Sequence, residues 1–390
     1  MVEAEIYLDA AATTPPRSEV IDVVVQVQQA VWANPSSLHV AGLKAAELLE
    51  RSRWKLARRF VVSPEQLVVT SGATESVHLG LLGSAAALQP SRIVVSAVEH
   101  PAVLAASEQL KKQGWTIAVW PVDATGHIRL ELMDQLLAPP TRLVSLIAAQ
   151  SEVGTLQPVA CVGKACRERG IVFHSDATQL IPQGCPQFNS LNVDLLSLSA
   201  HKFQGPRGIG LLIRRPTLAI QPLQSGGGQE FGLRSGTEPV ALIAGMVEAL
   251  SALPTFCPEY QSVPPGSGPN VRQQRDRLLQ SLLKIPGFRL VGPDVNNRLP
   301  NHIAVLAGTD RGYPISARSM VRELAHRGVA CSSGSACSSG KRIDSPILSA
   351  MGVAKPWRQS GLRFTLGPWL DDVALDLVPD VVNAAQRSLS

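Results

Sequence analysis

The run Arg92-Ile-Val-Val-Ser-Ala97, followed by a helical stretch from Ala102 to Gly114, a second apolar run from Thr116 to Val122 and a third at Arg142-Leu-Val-Ser-Leu-Ile-Ala148, decides how this chain folds. Short runs rich in β-branched residues read as strands, and the longer segments between them have helical periodicity. The pattern continues with a helix from Val162 to Arg169 and strands at Ile171-Val-Phe-His174, Val193-Asp-Leu-Leu-Ser-Leu198 and Gly208-Ile-Gly-Leu-Leu-Ile213. Upstream, Gln66-Leu-Val-Val69 reads as another strand. Strands alternating with helices predict a largely parallel sheet covered on both faces, an α/β domain. Ligands of such sheets bind beyond the carboxyl ends of the strands, which directs attention to the residues that follow each run.

Composition supports a globular protein. The 390 residues are 45% hydrophobic and 17% charged, and length alone predicts two or three domains. After Leu253, Pro254-Thr-Phe-Cys-Pro-Glu-Tyr-Gln-Ser-Val-Pro-Pro-Gly-Ser-Gly-Pro269 is too rich in Pro, Gly and Ser for one regular helix, and marks the entry to a smaller second domain. Helical periodicity resumes from Val271 to Leu283. A net charge of +5 without a Lys/Arg-rich run argues against a nucleic-acid partner, and no run of eighteen apolar residues is present to span a membrane. The six cysteines form no CxxC, and no Cys/His group has metal-ligand spacing, so no metal site is expected. The acidic start, Met1-Val-Glu-Ala-Glu5, does not read as a signal peptide. A reduced, cytoplasmic protein is expected.

Four strand ends carry residues with chemistry. Thr70-Ser-Gly-Ala-Thr-Glu-Ser76 joins a strand to a helix through small residues, which reads as a phosphate-binding turn or as a helix cap made by Ser71 or Thr74. The Gly-Lys-Ser/Thr ending of a P-loop is missing. Ser199-Ala-His-Lys-Phe-Gln-Gly-Pro206 places Lys202 just past a strand, either as a solvated charge or as an amine for a Schiff base with a carbonyl cofactor. His174-Ser-Asp-Ala-Thr-Gln179 ends its strand on Asp176, a helix cap or the partner of a pyridinium nitrogen. His100, in Glu99-His-Pro101, closes another strand and reads as a stacking or a merely hydrogen-bonded ring. A phosphate turn, a strand-end His, a strand-end Asp and a strand-end Lys, following one another in that order on an α/β chain, together suggest pyridoxal phosphate.

Near the end, Val329-Ala-Cys-Ser-Ser-Gly-Ser-Ala-Cys-Ser-Ser-Gly340 sets Cys331 and Cys337 among Ser, Gly and Ala, a composition that predicts a mobile surface loop.

The chain resembles the cysteine desulfurases of the class V aminotransferase group over nearly its whole length. The matching segments are Tyr7-Leu-Asp-Ala-Ala-Ala-Thr-Thr-Pro15, Asn34-Pro-Ser-Ser-Leu-His39, Thr70 to Ser76, Glu99-His100, Asp176 to Gln179, Ser199 to Pro206, Arg234-Ser-Gly-Thr237, Ser332 to Cys337 and Leu362-Arg-Phe-Thr-Leu-Gly367. The resemblance implies a fold-type I pyridoxal phosphate-dependent transferase. Its large domain, residues 15–257, would hold a mainly parallel seven-stranded sheet. Residues 1–14 and 258–390 would form a smaller α+β domain carrying the mobile cysteine loop at about 329–342.

The resemblance also implies residue roles. Lys202 would carry the cofactor, Asp176 pair with its ring nitrogen, His100 stack on the ring and move protons, and Gln179 meet the ring hydroxyl. Ala73, Thr74, Ser199 and His201 would hold the phosphate, joined by Thr237 across a homodimer interface. Asn34 and Arg363 would clamp the carboxylate of L-cysteine, and Cys337 would take its sulfur as a persulfide and pass it to an acceptor protein, for iron–sulfur cluster assembly or thiolation. Ser151, in Gln150-Ser-Glu-Val-Gly154, stands where relatives have an asparagine at the ring hydroxyl, and Val77-His78 replaces a polar-Asn pair. A long scaffold-docking tail is not expected beyond Ser388. Cys331 reads as a small buried residue, or as a thiol that resolves onto Cys337. The rival readings are a selenocysteine lyase or cystine C–S lyase, and a poorly active persulfide relay.

Overall fold

The structure, a computed structural model, describes residues 5–258, 264–268, 270–334 and 344–389. Its centre is a seven-stranded sheet built from β1 (Leu67–Thr70), β2 (Arg92–Ser96), β3 (Thr116–Trp120), β4 (Thr141–Ser145), β5 (Val172–Asp176), β6 (Leu195–Ser199) and β7 (Gly210–Arg214). The spatial order is β1-β7-β6-β5-β4-β2-β3. Pairs from β6 through to β3 are parallel, while β7 runs antiparallel to both β1 and β6. The exception has a simple cause. A parallel return needs a crossover of a dozen or more residues, and the link from Ser199 to Gly210 is shorter and holds only one 3₁₀ turn.

Strands β1 and β6 are buried along their whole length, as continuous apolar runs must be when both faces are covered. The covering helices are α1 (Ser18–Ala30), α2 (Val40–Phe60), α3 (Ala73–Ala85), α4 (Pro101–Lys112), α5 (Val159–Glu168) and α6 (Val240–Ser251). Helix α2 starts on His39, whose Nδ1 accepts from the Gly42 N–H at 3.2 Å, and ends with Arg58 and Arg59 beside its negative pole. Helix α5 begins three residues before the expected Val162, straight after Pro158. Pro254 to Gly268 is not helical where described; Thr255–Phe256 instead adds a short parallel pairing to Cys185–Pro186.

A second layer follows. Helix α7 (Val271–Leu282), strands β8 (Arg289–Leu290) and β9 (His302–Leu306), helix α8 (Ala317–His326), strand β10 (Gly361–Thr365) and helix α9 (Asp372–Ser388) surround an antiparallel sheet in the order β8-β9-β10. Its buried cluster includes Leu278, Ile303, Met320, Phe364 and Val382, and also Leu8 from the N-terminal arm. The arm pairs Ile6–Tyr7 with Val329–Ala330. Chain from both ends thus meets where the two layers adjoin. Among the described residues no helix is long and apolar enough to cross a membrane, and no His, Cys, Asp and Glu cluster could hold a metal ion.

Candidate active site

The carboxyl ends of β1, β2, β4, β5 and β6 open onto a cavity of about 870 Å³. Ten of the expected residues line it: Ala73, Thr74, His100, Ser151, Asp176, Gln179, Ser199, His201, Lys202 and Arg363. The fold brings most of them together because they follow separate strands at one edge of the sheet.

Lys202 sits in the 3₁₀ turn after β6, where its Nζ donates to the carbonyls of Ala11 at 2.6 Å and Ala12 at 2.8 Å. The same arm supports its surroundings. Gln179 Nε2 donates to Ala11 O at 2.9 Å, Thr14 Oγ1 donates to His201 O at 2.9 Å, and His201 Nδ1 meets Thr13 Oγ1 at 3.0 Å. Burial, with the charges of Lys202 and Arg207, pushes the His201 pKa down to about 4, so its ring is neutral at pH 7. Asp176 is buried at the end of β5. One of its oxygens accepts from the backbone and hydroxyl of Thr178, and the other has no hydrogen-bond partner among the described residues.

The turn before α3 has the form of an anion cradle. Its N-cap is Gly72, and no side-chain hydrogen bond caps the helix, so the capping alternative for Ser71 and Thr74 is not realised. Ser199 stands beside Gly72, and Gly210 of β7 lies so close beneath it that a Cβ there would be 2.6 Å from Gly72 Cα. Glu75 accepts from the Ser71 N–H at 2.6 Å, and its charge is paired with Arg234 at 2.8 Å. His78 does not reach the cavity; its Nδ1 lies 2.8 Å from the Thr74 carbonyl within α3.

Across the cavity, Arg363 on β10 is 4% exposed. Its guanidinium donates to Asp9 Oδ1 at 2.7 Å and to the Ser151 carbonyl at 3.1 Å. That carbonyl also meets His302 Nε2 at 3.0 Å. His302 is wholly buried, which holds its pKa well below the usual imidazole value, so Nε2–H is the donor of a neutral ring. His100 caps α4, its Nδ1 accepting from the Ala102 N–H at 3.1 Å.

Among the lining carboxyls without an expected role, Glu99 and Glu152 are the two most perturbed. Glu99 accepts from Ser96 Oγ at 2.7 Å and the Ile147 N–H at 2.8 Å, while its other oxygen is buried with no partner. Burial, aided by the Asp176 charge, lifts its pKa to about 7. Burial likewise lifts Glu152 to about 7 against the pull of Ser345 and Arg363. Glu99 adjoins His100 in the chain, and Asp9 lies in the run Tyr7 to Pro15. A charged residue inside an apolar or small-residue run was the signal available for both.

Two expected residues are not brought in. Asn34 and Thr237 lie outside the cavity; Asn34 is exposed, and its Oδ1 accepts from the Ser36 N–H at 2.8 Å. Cys337 lies outside the described residues. Cys331 is buried directly after Val329–Ala330, and burial pushes its thiol up to about 12.

The class-V aminotransferase profile matches residues 6–372. The chain belongs to the class-V aminotransferase family. Within it, the chain is 36% identical to a protein named cysteine desulfurase IscS from Dictyoglomus turgidum, over 98% of this chain and 94% of the relative. It is 35% identical to the mitochondrial cysteine desulfurase of Eremothecium gossypii, over 96% of this chain and 74% of the relative. A solved NifS-like protein superposes with a TM-score of 0.85 at 30% identity, covering 99% of each chain. Membership of the class-V aminotransferases implies use of pyridoxal phosphate. The residues present fit that group: an uncapped helix start for the phosphate, a buried carboxylate with a spare oxygen for the ring nitrogen, and a lysine amine at the same strand edge.

Proposed function

We propose that this class-V aminotransferase relative is a cysteine desulfurase, converting L-cysteine to L-alanine and retaining the sulfur as a persulfide on Cys337. The observation that carries the reading is the meeting of Lys202, Asp176, His100 and Arg363 in one cavity, in a chain whose full-length relatives are named for that reaction. The division into residues 15–257 and residues 1–14 with 258–390 is supported by one buried cluster drawn wholly from the second part, Leu8 with residues between Val271 and Ala385, while the larger cluster runs on into that part through residues such as Val291 and Leu348.

Lys202 would bind pyridoxal phosphate at its carbonyl carbon. Ala73, Thr74, Ser199 and His201 would hold the phosphate, Asp176 the ring nitrogen, and Gln179 and Ser151 the ring-hydroxyl side. When bound, the cofactor supplies an electron sink for the pair left on the substrate Cα as its proton departs. Arg363 holds the substrate carboxylate, its planar fork suiting two oxygens. Its Asp9 and Ser151 partners fix the guanidinium before substrate arrives. His100, with Nδ1 committed to the Ala102 N–H, has Nε2 left to carry a proton. The Cys337 thiolate attacks the substrate sulfur: the S–S bond forms, the C–S pair returns to carbon, and protonation there releases alanine.

Asn34 and Thr237 complete the site only from a second copy or after rearrangement, and a homodimer is the arrangement proposed. Trp32, Leu38 and Val40, beside Asn34, are 72%, 90% and 70% exposed, an apolar surface suited to burial against a partner. A sulfur-acceptor protein would take the persulfide. The compartment proposed is the cytoplasm, where a thiol such as Cys337 stays reduced.

The test is alanine and sulfide release from L-cysteine with dithiothreitol, comparing the chain with its Cys337→Ala variant. Loss of turnover in the variant is expected. Retained turnover would instead mark a lyase that frees sulfide directly, and an inactive parent loaded with cofactor would leave a persulfide relay.

A further inference from the structure

The turn Gln150–Gly154 does more than line the cavity. Gln150 Oε1 accepts from the backbone N–H groups of Glu152 and Val153, the latter at 3.0 Å, and Gly154 at φ +79° lets the chain reverse. This rigid turn buries the Glu152 carboxyl, which is 6% exposed. Glu152 Oε1 accepts from Ser345 Oγ at 2.5 Å. Ser345 Oγ in turn accepts from the Leu348 N–H at 3.0 Å, capping the short helix Pro346–Ala350. On its other side Glu152 is packed by Gly334, at φ +65°, where a Cβ would stand 2.7 Å from Glu152 Cγ. Two residues earlier, Ser332 exchanges both backbone hydrogen bonds with Arg363, at 3.1 and 2.8 Å.

We propose that Glu152 is a positioning residue for Cys337, fixing the two points, Gly334 and Ser345, from which the thiol-bearing stretch departs. The inference rests on the desulfurase reading and deepens it. A thiol must reach a sulfur held by Arg363, and the same turn that braces Arg363 through the Ser151 carbonyl also braces both chain points flanking the thiol. The substrate clamp and both described flanks of the thiol-bearing segment are therefore tied to one turn, the condition for holding reacting groups in register. A side chain at 334 would be strained at φ +65°, and its Cβ would press on Glu152 Cγ.

The experiment uses the full-length, cofactor-loaded protein with Glu152→Ala, Glu152→Gln and Ser345→Ala. Four quantities are read: cofactor absorbance, KM and kcat for L-cysteine, hydrogen exchange of the 345–350 peptide, and the iodoacetamide alkylation rate of Cys337 without turnover. Glu152→Ala and Ser345→Ala are expected to speed exchange in 345–350, change the alkylation rate severalfold and lower kcat about tenfold, with absorbance unchanged and KM within about twofold. Glu152→Gln, which keeps an acceptor for Ser345, is expected to recover most of each loss. Unchanged exchange and alkylation in folded Glu152→Ala would overturn the proposal. So would a loss of cofactor or a large rise in KM, which would mean that Glu152 acts on cofactor or substrate binding instead. Should Glu152→Ala not fold, Ser345→Ala decides by the same criteria. An inactive parent protein would defeat the desulfurase reading alone, because exchange and alkylation need no turnover.

Discussion

Replacing Gly210 by alanine tests whether the turn before α3 holds an anion. The new Cβ would lie 2.6 Å from Gly72 Cα and C and 2.7 Å from Leu198 O, all backbone atoms that cannot rotate aside. Ordinary contact begins at 3.4 Å, so the turn must move by about 3.4 − 2.6 = 0.8 Å relative to β7. A hydrogen bond of about 2.9 Å from an α3 amide to a phosphate oxygen would stretch to roughly 3.7 Å, which is no longer a bond. Losing one bond to a charged acceptor costs about 1.5–3 kcal/mol, and overpacking adds about 1–3 kcal/mol of lost stability. The variant should therefore bind pyridoxal phosphate about tenfold more weakly or worse, measured by absorbance titration, with a lowered unfolding temperature. Gly170→Ala is the matched control. Gly170 has φ +63° but nothing within 4 Å of a new Cβ, so only backbone strain of about 1 kcal/mol is expected, with no change in cofactor affinity. If Gly210→Ala lost stability but kept full cofactor affinity, the turn would not be the phosphate site.

Asp9→Asn removes the charge that pairs with buried Arg363 and should raise KM for L-cysteine about tenfold or more while leaving cofactor absorbance in place. An unchanged KM would refute the brace. Glu99 titrates near 4.5 when unfolded and at about 7 when folded, so the native state holds an extra proton between those values. Its contribution is full below pH 4.5 and lost as pH rises through 7, an order of about 3 kcal/mol, and Glu99→Gln should flatten that slope in unfolding measurements across pH 5 to 8. Cys331, pushed up to about 12, should resist alkylation at pH 7 in the native protein while exposed Cys161 reacts, and a Cys331–Cys337 disulfide after mild oxidation would contradict this.

Much of this site was legible because its residues follow strands. A run such as Leu195–Ser199 announces a buried strand, and the fold type then says that whatever comes next, here Lys202, lies at the ligand edge. Asp176 and His100 were found in the same way. The reversal of β7 was equally readable in principle, from a connection too short to cross over. Glu152 and Glu99 were not legible in role, because a carboxyl's importance there depends on burial and on partners such as Ser345 and Ile147 that are remote in sequence. His302 escaped altogether, since nothing in β9 marks a histidine that supports a carbonyl 151 residues away. Asn34 and Thr237 mark the opposite case, residues whose proposed roles need a surface that one chain does not provide.

The arm from Asp9 to Thr14 also sets a timetable for the molecule. Its residues leave the ribosome well before their partners, which come 187 to 191 residues later at His201 and Lys202, and 354 residues later at Arg363. Such distant pairings are the slow kind to form. During synthesis the central sheet can assemble while the arm waits, so the lysine's carbonyl cradle can close once β6 and its following turn have emerged, but the carboxylate clamp only after β10 has been made. With Lys202 and Arg363 in the roles proposed for them, a nascent chain gains the means to capture its cofactor earlier than the means to hold an amino acid.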